Sequence, residues 1–165
     1  MIKRFIFDLD GTLIDKVDFS ELVKRKLKEF NYQYTDTQFR QYMQAMQNYE
    51  KEFSKYTFDD YFEYIHQISM IDFSPEYMKS FLFSATKCVP DFVHQDVISA
   101  LNYLKEKYEL VVLTNFFKEV QMLRMENAGI PFIFDDVIGG THLLNQWKML
   151  FLMQLEKYVL MNVLW

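Results

Sequence analysis

The sequence predicts an α/β protein in which a Rossmann-like, three-layer core with a parallel sheet is interrupted by an inserted bundle of helices. Two observations lead to this fold class. Short β-prone runs alternate with helical segments on both sides of the insertion, which is typical of a parallel sheet with crossover helices. The stretch 16–87 between them shows helical spacing throughout. We therefore expect a discontinuous core formed by 1–15 and 88–165.

The first element is a strand within the run Ile2–Leu9. This run is short, apolar and β-prone, as expected of a strand that is buried on both faces of a sheet. It carries Asp8 near its end, and Asp10 and Gly11 follow where the chain has to turn. The first strand should therefore deliver two carboxylates to one edge of the sheet.

The insertion is predicted to contain four helices packed as a bundle. Its apolar and aromatic residues recur at spacings of three and four, the pattern of amphipathic helices that bury one face. Two helix starts have local signals. Thr57 with Asp60 resembles a capping box, and Ser74 precedes Pro75 as an N-cap hydroxyl precedes a proline at the first helical position.

After the insertion the alternation of helices and strands resumes. Helical spacing covers 96–107, and the run Glu109–Leu113 is a predicted strand. A further helix over 118–128 is closed by Gly129, and the last strand lies within 132–138. These two strands should lie parallel to the first one, joined by helical crossovers.

Polar side chains follow two of the predicted strands. Asp8 and Asp10 come at the end of the first strand, and Thr114 and Asn115 come directly after Glu109–Leu113. Because ligands collect at the carboxyl ends of parallel strands, we expect these residues to converge on one site. There, one carboxylate could attack phosphorus, and the other could protonate the leaving oxygen and later activate water.

A divalent cation is expected at this site. Two carboxyl groups that lie close together disfavour each other's ionised form unless a cation intervenes, and Mg²⁺ suits oxygen ligands shared with a phosphate. A tight turn at Gly11 would aim backbone N–H groups at phosphate oxygens, and the Thr114 hydroxyl would add a donor. The pattern therefore predicts phosphate chemistry with Mg²⁺ as cofactor.

These motifs resemble those of the haloacid dehalogenase (HAD) superfamily. The segment Phe-Asp-Leu-Asp-Gly-Thr-Leu at 7–13 is similar to its first motif, and Val-Val-Leu-Thr-Asn at 111–115 is similar to its second. The resemblance implies that Asp8 is the nucleophile and Asp10 the general acid/base, and that Asp8 and the Asp10 backbone carbonyl hold Mg²⁺. It also implies a set of phosphate-binding residues. These are Gly11, Thr12, Thr114 and Asn115.

The same resemblance accounts for the insertion. The helical block 16–87 is similar to the cap that closes over the site in this superfamily, where it excludes water and selects the substrate. The second acid, Asp10, favours phosphoryl transfer, because members that remove halide generally lack it. The segment 134–140 resembles the approach to the family's third motif, and the similarity is expected to end near Gly140.

The C-terminal part departs from the family pattern. The third motif should supply a lysine, usually followed by proline, but here Lys148 lies three residues late and lacks the proline. The glycine–aspartate pair and acidic metal ligands of the fourth motif are also missing. Loss of one base just before Asn145 would account for this, since the alternative frame permits Lys-Pro-Met-Glu-Asn-Ala-Phe there. We therefore expect a frameshifted tail from about Leu144 or Asn145 onward, with impaired turnover.

Loss of the fourth motif should also affect association. In this superfamily the strand that leads to the fourth motif lies beside the first strand, so its loss would leave the first strand at an exposed edge. The predicted tail is apolar nearly all round. It could cover that edge as a helix, or it could drive self-association through the edge and the tail.

The composition argues against binding to nucleic acid or membranes and favours a reducing compartment. The net charge of -5 and pI near 5.2 provide no general basic field for nucleic acid or acidic membranes, and no apolar run approaches the roughly 20 residues that span a bilayer. One cysteine, Cys88, favours a reducing cytoplasm. Two functions remain: a Mg²⁺-dependent phosphatase acting on a small phosphorylated metabolite, or an inactive remnant that serves as a phosphate-binding or interaction module.

Overall fold

The computed structural model describes residues 4–15, 17–52, 57–130 and 132–139. Within these ranges the strands are β1 (Arg4–Phe7), β2 (Glu109–Leu113) and β3 (Asp136–Ile138), and the helices are α1 (Ser20–Glu29), α2 (Asp36–Glu52), α3 (Phe58–Ser69), α4 (Pro75–Thr86), α5 (Gln95–Lys105) and α6 (Lys118–Asn127). None of these helices has the length and apolar composition that crossing a bilayer requires. The alternation of strands and helices around a helical insertion confirms the predicted α/β fold class.

The three strands form one parallel sheet in the order β1-β2-β3. Phe7 of β1 pairs with Val112 of β2, and Val112 pairs in turn with Val137 of β3. The carboxyl ends of the strands therefore lie at the same edge of the sheet. The parallel arrangement is the predicted one, and β2 has the predicted bounds.

β1 is less buried than predicted. Its side chains alternate between exposed and half-buried, and Ile6 is 39% exposed, whereas Val111 and Val112 of β2 are buried. The reason is the position of β1, which in the described part of the chain pairs with β2 alone. The expectation of a strand buried on both faces is therefore wrong for these residues.

A first apolar core surrounds the sheet. It joins β2 to α5, α6 and the turn after β1, and Leu9, Leu110 and Met125 are fully buried in it. Full burial of such a side chain stabilises the fold by about 1.5–3 kcal/mol. At the end of α6, Gly129 has a φ of 75°, and the Ile130 amide donates to the Met125 carbonyl (3.0 Å). This left-handed glycine closes the helix as predicted.

A second apolar core holds α1–α4 together, so the four predicted helices of the insertion are present. Its fully buried side chains include Leu27, Tyr42, Tyr61, Ile65, Met78 and Phe81. α3 begins with the predicted cap, since the Thr57 hydroxyl accepts a hydrogen bond from the Asp60 amide (3.1 Å). Ser74 stands at the predicted N-cap of α4, but its side chain makes no capping hydrogen bond.

Two phenylalanines after β2 connect the sheet to the insertion. Phe116 and Phe117 follow the second motif directly, yet both belong to the core of the insertion. Phe117 stacks on Phe58 with 4.2 Å between ring centroids, and Phe116 meets Tyr61 edge-on at 5.5 Å. Such aromatic pairs contribute about 0.5–1.5 kcal/mol beyond their buried area. The insertion is thus packed directly on the loop that follows β2.

One carboxylate links three elements around the sheet. The Asp135 side chain accepts a hydrogen bond from the Leu110 amide (2.8 Å) and pairs with Lys105 (2.6 Å). These contacts join the approach to β3 with β2 and α5. The hydrogen bond from Lys105, followed by that from the Leu110 amide, lowers the pKa of Asp135.

Removing the cap of α3 is expected to lower stability. Thr57→Ala removes the oxygen that accepts from the Asp60 amide, and loss of such an N-cap costs about 1 kcal/mol. Chemical denaturation should show a free energy of unfolding reduced by about that amount. Thr57→Ser keeps the hydroxyl and should stay close to wild type, so equal losses in both variants would contradict the capping role.

Asp135 is expected to make stability depend on pH in the acidic range. Its pKa in the folded protein lies below the usual value of 3.8, so its contribution is complete above that value and is lost as the pH falls through the lowered pKa. Asp135→Asn should therefore be less stable than wild type near neutral pH and should lose less stability on acidification to about pH 3. Denaturant unfolding at both pH values measures this, and equal acid sensitivity would argue against it.

Candidate active site

The ends of β1 and β2 meet at one edge of the sheet. Asp8 follows directly after β1, and Thr114 follows directly after β2. The Thr114 amide donates to the Ile138 carbonyl of β3 (2.9 Å), which holds the residue at the end of the sheet. The parallel register places these strand ends side by side. The structure thus brings the aspartates and Thr114 to one edge, as the topology predicted.

The chain turns tightly after Leu9. Gly11 has a φ of 77°, in the left-handed region that favours glycine, and its amide donates to the Ile14 carbonyl (2.8 Å). The Thr12 and Leu13 amides donate to the Leu9 carbonyl (3.4 and 3.0 Å). The predicted turn is therefore present. The Gly11, Thr12 and Leu13 amides bond to carbonyls of the turn itself, and phosphate binding by Gly11 and Thr12 stays a prediction.

Asp10 lies in a hydrogen-bond network that reaches Thr114. Its carboxylate pairs with Arg124 of α6 at 2.6 Å and accepts a hydrogen bond from the Gln121 side-chain amide at 3.2 Å. The same Gln121 nitrogen donates to the Thr114 hydroxyl oxygen at 2.8 Å. One glutamine thereby connects the second aspartate of the first motif to the threonine of the second.

Arg124 is held in place by a second carboxylate. Asp91, whose side chain is fully buried, accepts hydrogen bonds from Nε and Nη2 of Arg124 (3.1 and 2.8 Å). Burial alone would lower the pKa of the Arg124 guanidinium, but the hydrogen bond to Asp91 and the charge of Asp10 outweigh it and raise that pKa. The arginine therefore stays charged between two carboxylates.

The predicted site residues differ in exposure. Thr114 is buried, Asp10 is partly buried, and Asp8, Gly11, Thr12 and Asn115 are exposed. Within the described ranges, no side chain or amide forms a hydrogen bond or ion pair with the Asp8 carboxylate. The two aspartates of the first motif thus lie in different surroundings, one open and one held by Arg124.

Three residues of the network were not predicted from the sequence. Gln121 and Arg124 lie three residues apart on the helix that follows the second motif, so their spacing placed them on one face of it. That spacing was the sequence signal from which Gln121 and Arg124 could have been predicted as site residues. Asp91 had no comparable signal, because its contact with Arg124 joins positions far apart in the chain.

A cavity of about 360 Å³ lies beside the network, between the insertion and α6. Asp10, Gln121 and Arg124 form its polar end. The rest of the wall is mainly apolar and comes from α1, α2, α4 and the residues after β2. The cavity therefore connects the polar network with the interior of the insertion.

The donor atoms at the end of β1 suit a hard cation. The described ranges contain no group of three or more His, Cys, Asp or Glu side chains that could hold a metal ion by themselves. Mg²⁺ needs only one or two carboxylates when a phosphate and water supply its other oxygen ligands. The exposed Asp8 carboxylate and the Asp10 backbone carbonyl are oxygen donors of this kind.

The fold and the site define a class: a parallel α/β core with two aspartates at a strand end and a helical insertion packed beside them. The chain belongs to the family of haloacid dehalogenase-like hydrolases, whose model matches residues 5–158. This confirms the predicted family. The match runs past Gly140, so the resemblance extends further than expected from the sequence. No curated protein sequence matches the chain significantly.

Solved structures share this fold at low sequence identity. A Thermotoga maritima protein assigned as a β-phosphoglucomutase has a TM-score of 0.52 at 21% identity. YfnB of Bacillus subtilis, assigned as a HAD hydrolase and solved with bound magnesium, has 0.56 at 18%, and the L-2-haloacid dehalogenase of Xanthobacter autotrophicus has 0.54 at 18%. The alignments cover 84% of this chain and 62%, 63% and 57% of the three proteins. The chain therefore spans about three fifths of their length.

Arg124→Met is expected to destabilise the fold. The substitution leaves the buried Asp91 carboxylate without its cation, and breaking a buried pair in this way costs about 3–5 kcal/mol. Arg4→Met removes an exposed pair with Glu109 and should cost at most about 1 kcal/mol. Denaturant unfolding compares the two variants, and similar losses would contradict the structural role of the buried pair.

Proposed function

We propose that the protein is a Mg²⁺-dependent phosphomonoester hydrolase that forms an aspartyl-phosphate intermediate from a small phosphorylated metabolite. The observation that carries this proposal is the exposed Asp8 carboxylate at the end of β1, beside a network that links Asp10 to Thr114. A carboxylate that has no partner among the described residues is available for attack on phosphorus. Membership of a hydrolase family agrees with this reaction class.

In the first step Asp8 attacks phosphorus and the bond to the leaving oxygen breaks. The phosphoryl group is then joined to Asp8, and the leaving oxygen takes a proton from Asp10. Gln121 donates to the Thr114 oxygen, so the hydroxyl proton of Thr114 remains free to donate to a phosphoryl oxygen. Such a donor stabilises charge that develops during transfer.

In the second step water attacks phosphorus and releases Asp8. Asp10 accepts the proton from this water, for which it must be ionised. The pair with Arg124 and the hydrogen bond from Gln121 hold the ionised carboxylate in position. Protonation of Asp10 before the first step requires the pair with Arg124 to loosen. Arg124 is thus a positioning residue that acts through Asp10.

Asp8 and the Asp10 backbone carbonyl would hold Mg²⁺. The bound cation would neutralise charge on the phosphoryl oxygens, which otherwise repel an attacking carboxylate. YfnB, which shares the fold, was solved with magnesium, and this supports the choice of cation.

The insertion 16–87 would act as a cap that selects the substrate. α1, α2 and α4 contribute to the wall of a cavity whose polar end includes Asp10. A substrate bound with its leaving oxygen at Asp10 would therefore contact the insertion. This arrangement supports the division into a core at 1–15 and 88–165 and a cap between them.

We further propose that this chain turns over slowly. Asn145 and Gln146 stand where the family pattern has lysine and proline, and both lie outside the described residues. Loss of one such contact to a phosphoryl group lowers rates by about 10²-fold or more. A frameshift near Leu144 accounts for this departure. Sequencing the gene across codons 140–165 tests it, and close relatives with the same residues in an uninterrupted frame would contradict it.

An inactive phosphate-binding module is the alternative. The displaced lysine favours it, because binding at Asp8 and Thr114 could persist without turnover. Magnesium-dependent binding of phosphate without an adduct on Asp8 would be its signature.

A Mg²⁺-containing assay with an aryl phosphate tests the catalytic proposal. Phosphate release should be slow but dependent on Asp8, and Asp8→Asn should lower it by about 10²-fold or more because the nucleophile is lost. Asp72→Asn, at an exposed loop position, is the matched control and should leave the rate unchanged. Release that persists in Asp8→Asn would contradict the assignment of the nucleophile.

Beryllofluoride binding distinguishes a slow phosphatase from an inactive phosphate-binding module. It mimics a phosphoryl group joined to aspartate, so wild type with Mg²⁺ should form an adduct visible by ¹⁹F NMR, and Asp8→Asn should not. Absence of both adduct and phosphate release in wild type would overturn the phosphatase proposal and leave the binding module.

A further inference from the structure

The size and wall of the cavity beside Asp10 indicate what it could bind. Its volume of about 360 Å³ lies in the usual range of small-molecule sites, and it is more than twice the roughly 150 Å³ of an apolar cavity that holds benzene. Aliphatic and thioether side chains form much of the wall. They include Leu22, Val23, Met43, Met46, Leu82 and Ala85.

The network at the polar end is already satisfied. Gln121 bonds to Asp10 and Thr114, and Arg124 bonds to Asp10 and Asp91. When Asp10 holds the proton that it gives to the leaving oxygen, Arg124 and Asp91 balance each other's charge, so no excess positive charge remains at this end. A ligand group with a carboxylate would therefore find no unpaired cation there among the described residues.

The remaining polar groups of the described wall also offer little to a ligand. The Thr86 hydroxyl donates to the Leu82 carbonyl of its own helix (2.8 Å). Burial raises the pKa of the Tyr42 phenol, which therefore stays protonated and uncharged. Gln47 is exposed. A sugar placed in the cavity would therefore bury hydroxyl groups without partners, at a cost for each of them.

We propose that the cavity binds the leaving group of the phosphomonoester and that this group is uncharged and apolar, such as an aryl or branched alkyl group. The inference rests on the proposed function, in which Asp10 protonates the leaving oxygen. Since Asp10 forms part of the wall, a leaving oxygen at its carboxylate puts the rest of the leaving group in the cavity. Phosphorylated sugars and phosphorylated carboxylic acids fit this wall poorly.

Alkylphosphonates test the selectivity independently of turnover, because their phosphorus–carbon bond is not hydrolysed. Methyl-, propyl- and pentylphosphonate are titrated into the Mg²⁺-containing protein and followed by NMR. Affinity should rise about fourfold for each added methylene until the cavity is filled. The charged 2-carboxyethylphosphonate should bind about tenfold or more weakly than propylphosphonate.

Two substitutions of alanine by leucine test whether the gain in affinity with chain length arises in the cavity. Ala85→Leu adds volume to the cavity wall and should remove most of the advantage of pentylphosphonate while leaving methylphosphonate binding unchanged. Ala100→Leu makes the same change at an exposed position of α5 and should bind like wild type. If Ala85→Leu does not fold, the chain-length series in wild type decides by itself.

The outcomes distinguish this inference from the proposed function. Equal affinities along the series, with methylphosphonate still bound, would overturn the apolar assignment and leave the phosphatase proposal intact. Absence of binding by every phosphonate would overturn the phosphate site itself, and the inference with it. Stronger binding of the carboxylated probe would also contradict an apolar leaving group.

Discussion

The ion network of Asp91, Arg124 and Asp10 is the constraint on which the rest of the site depends. A fully buried carboxylate needs a cation, and Arg124 supplies it to Asp91. These residues come from the turn after β1, the segment before α5, and α6. The pairs that Arg124 forms therefore hold these three parts of the chain together. They also hold Asp10 beside the cavity, where Gln121 connects it to Thr114.

The loop after β2 carries both the second motif and an anchor for the insertion. Thr114 is bonded into the network at the strand end, and Phe116 and Phe117 are packed into the core of α1–α4. Under the proposed mechanism, phosphate binding and substrate selection would share these few residues. Phe116 belongs both to this core and to the wall of the cavity, so the loop, the insertion and the cavity share one residue.

Local and topological features could be predicted from the sequence. The bounds of β2, the tight turn at Gly11 and the cap at Thr57 depend on residues close together in the chain, so their signals are local. The meeting of Asp8 and Thr114 at one edge follows from parallel topology. The family also follows from short motifs. The catalytic roles of Asp8, Asp10 and Thr114 stay predictions, since the chemistry of the site depends on a substrate and a cation.

The sequence by itself determined the fold class, the family and the edge of the sheet at which Asp8 and Asp10 lie. Periodicity, helix caps and short motifs depend on residues that are close together in the chain. Only the tertiary structure decided that Arg124 bridges Asp10 and Asp91, that Gln121 joins Asp10 to Thr114, and that a cavity lies between the insertion and α6. These depend on which distant groups share one buried space, and on how desolvated charges find partners there.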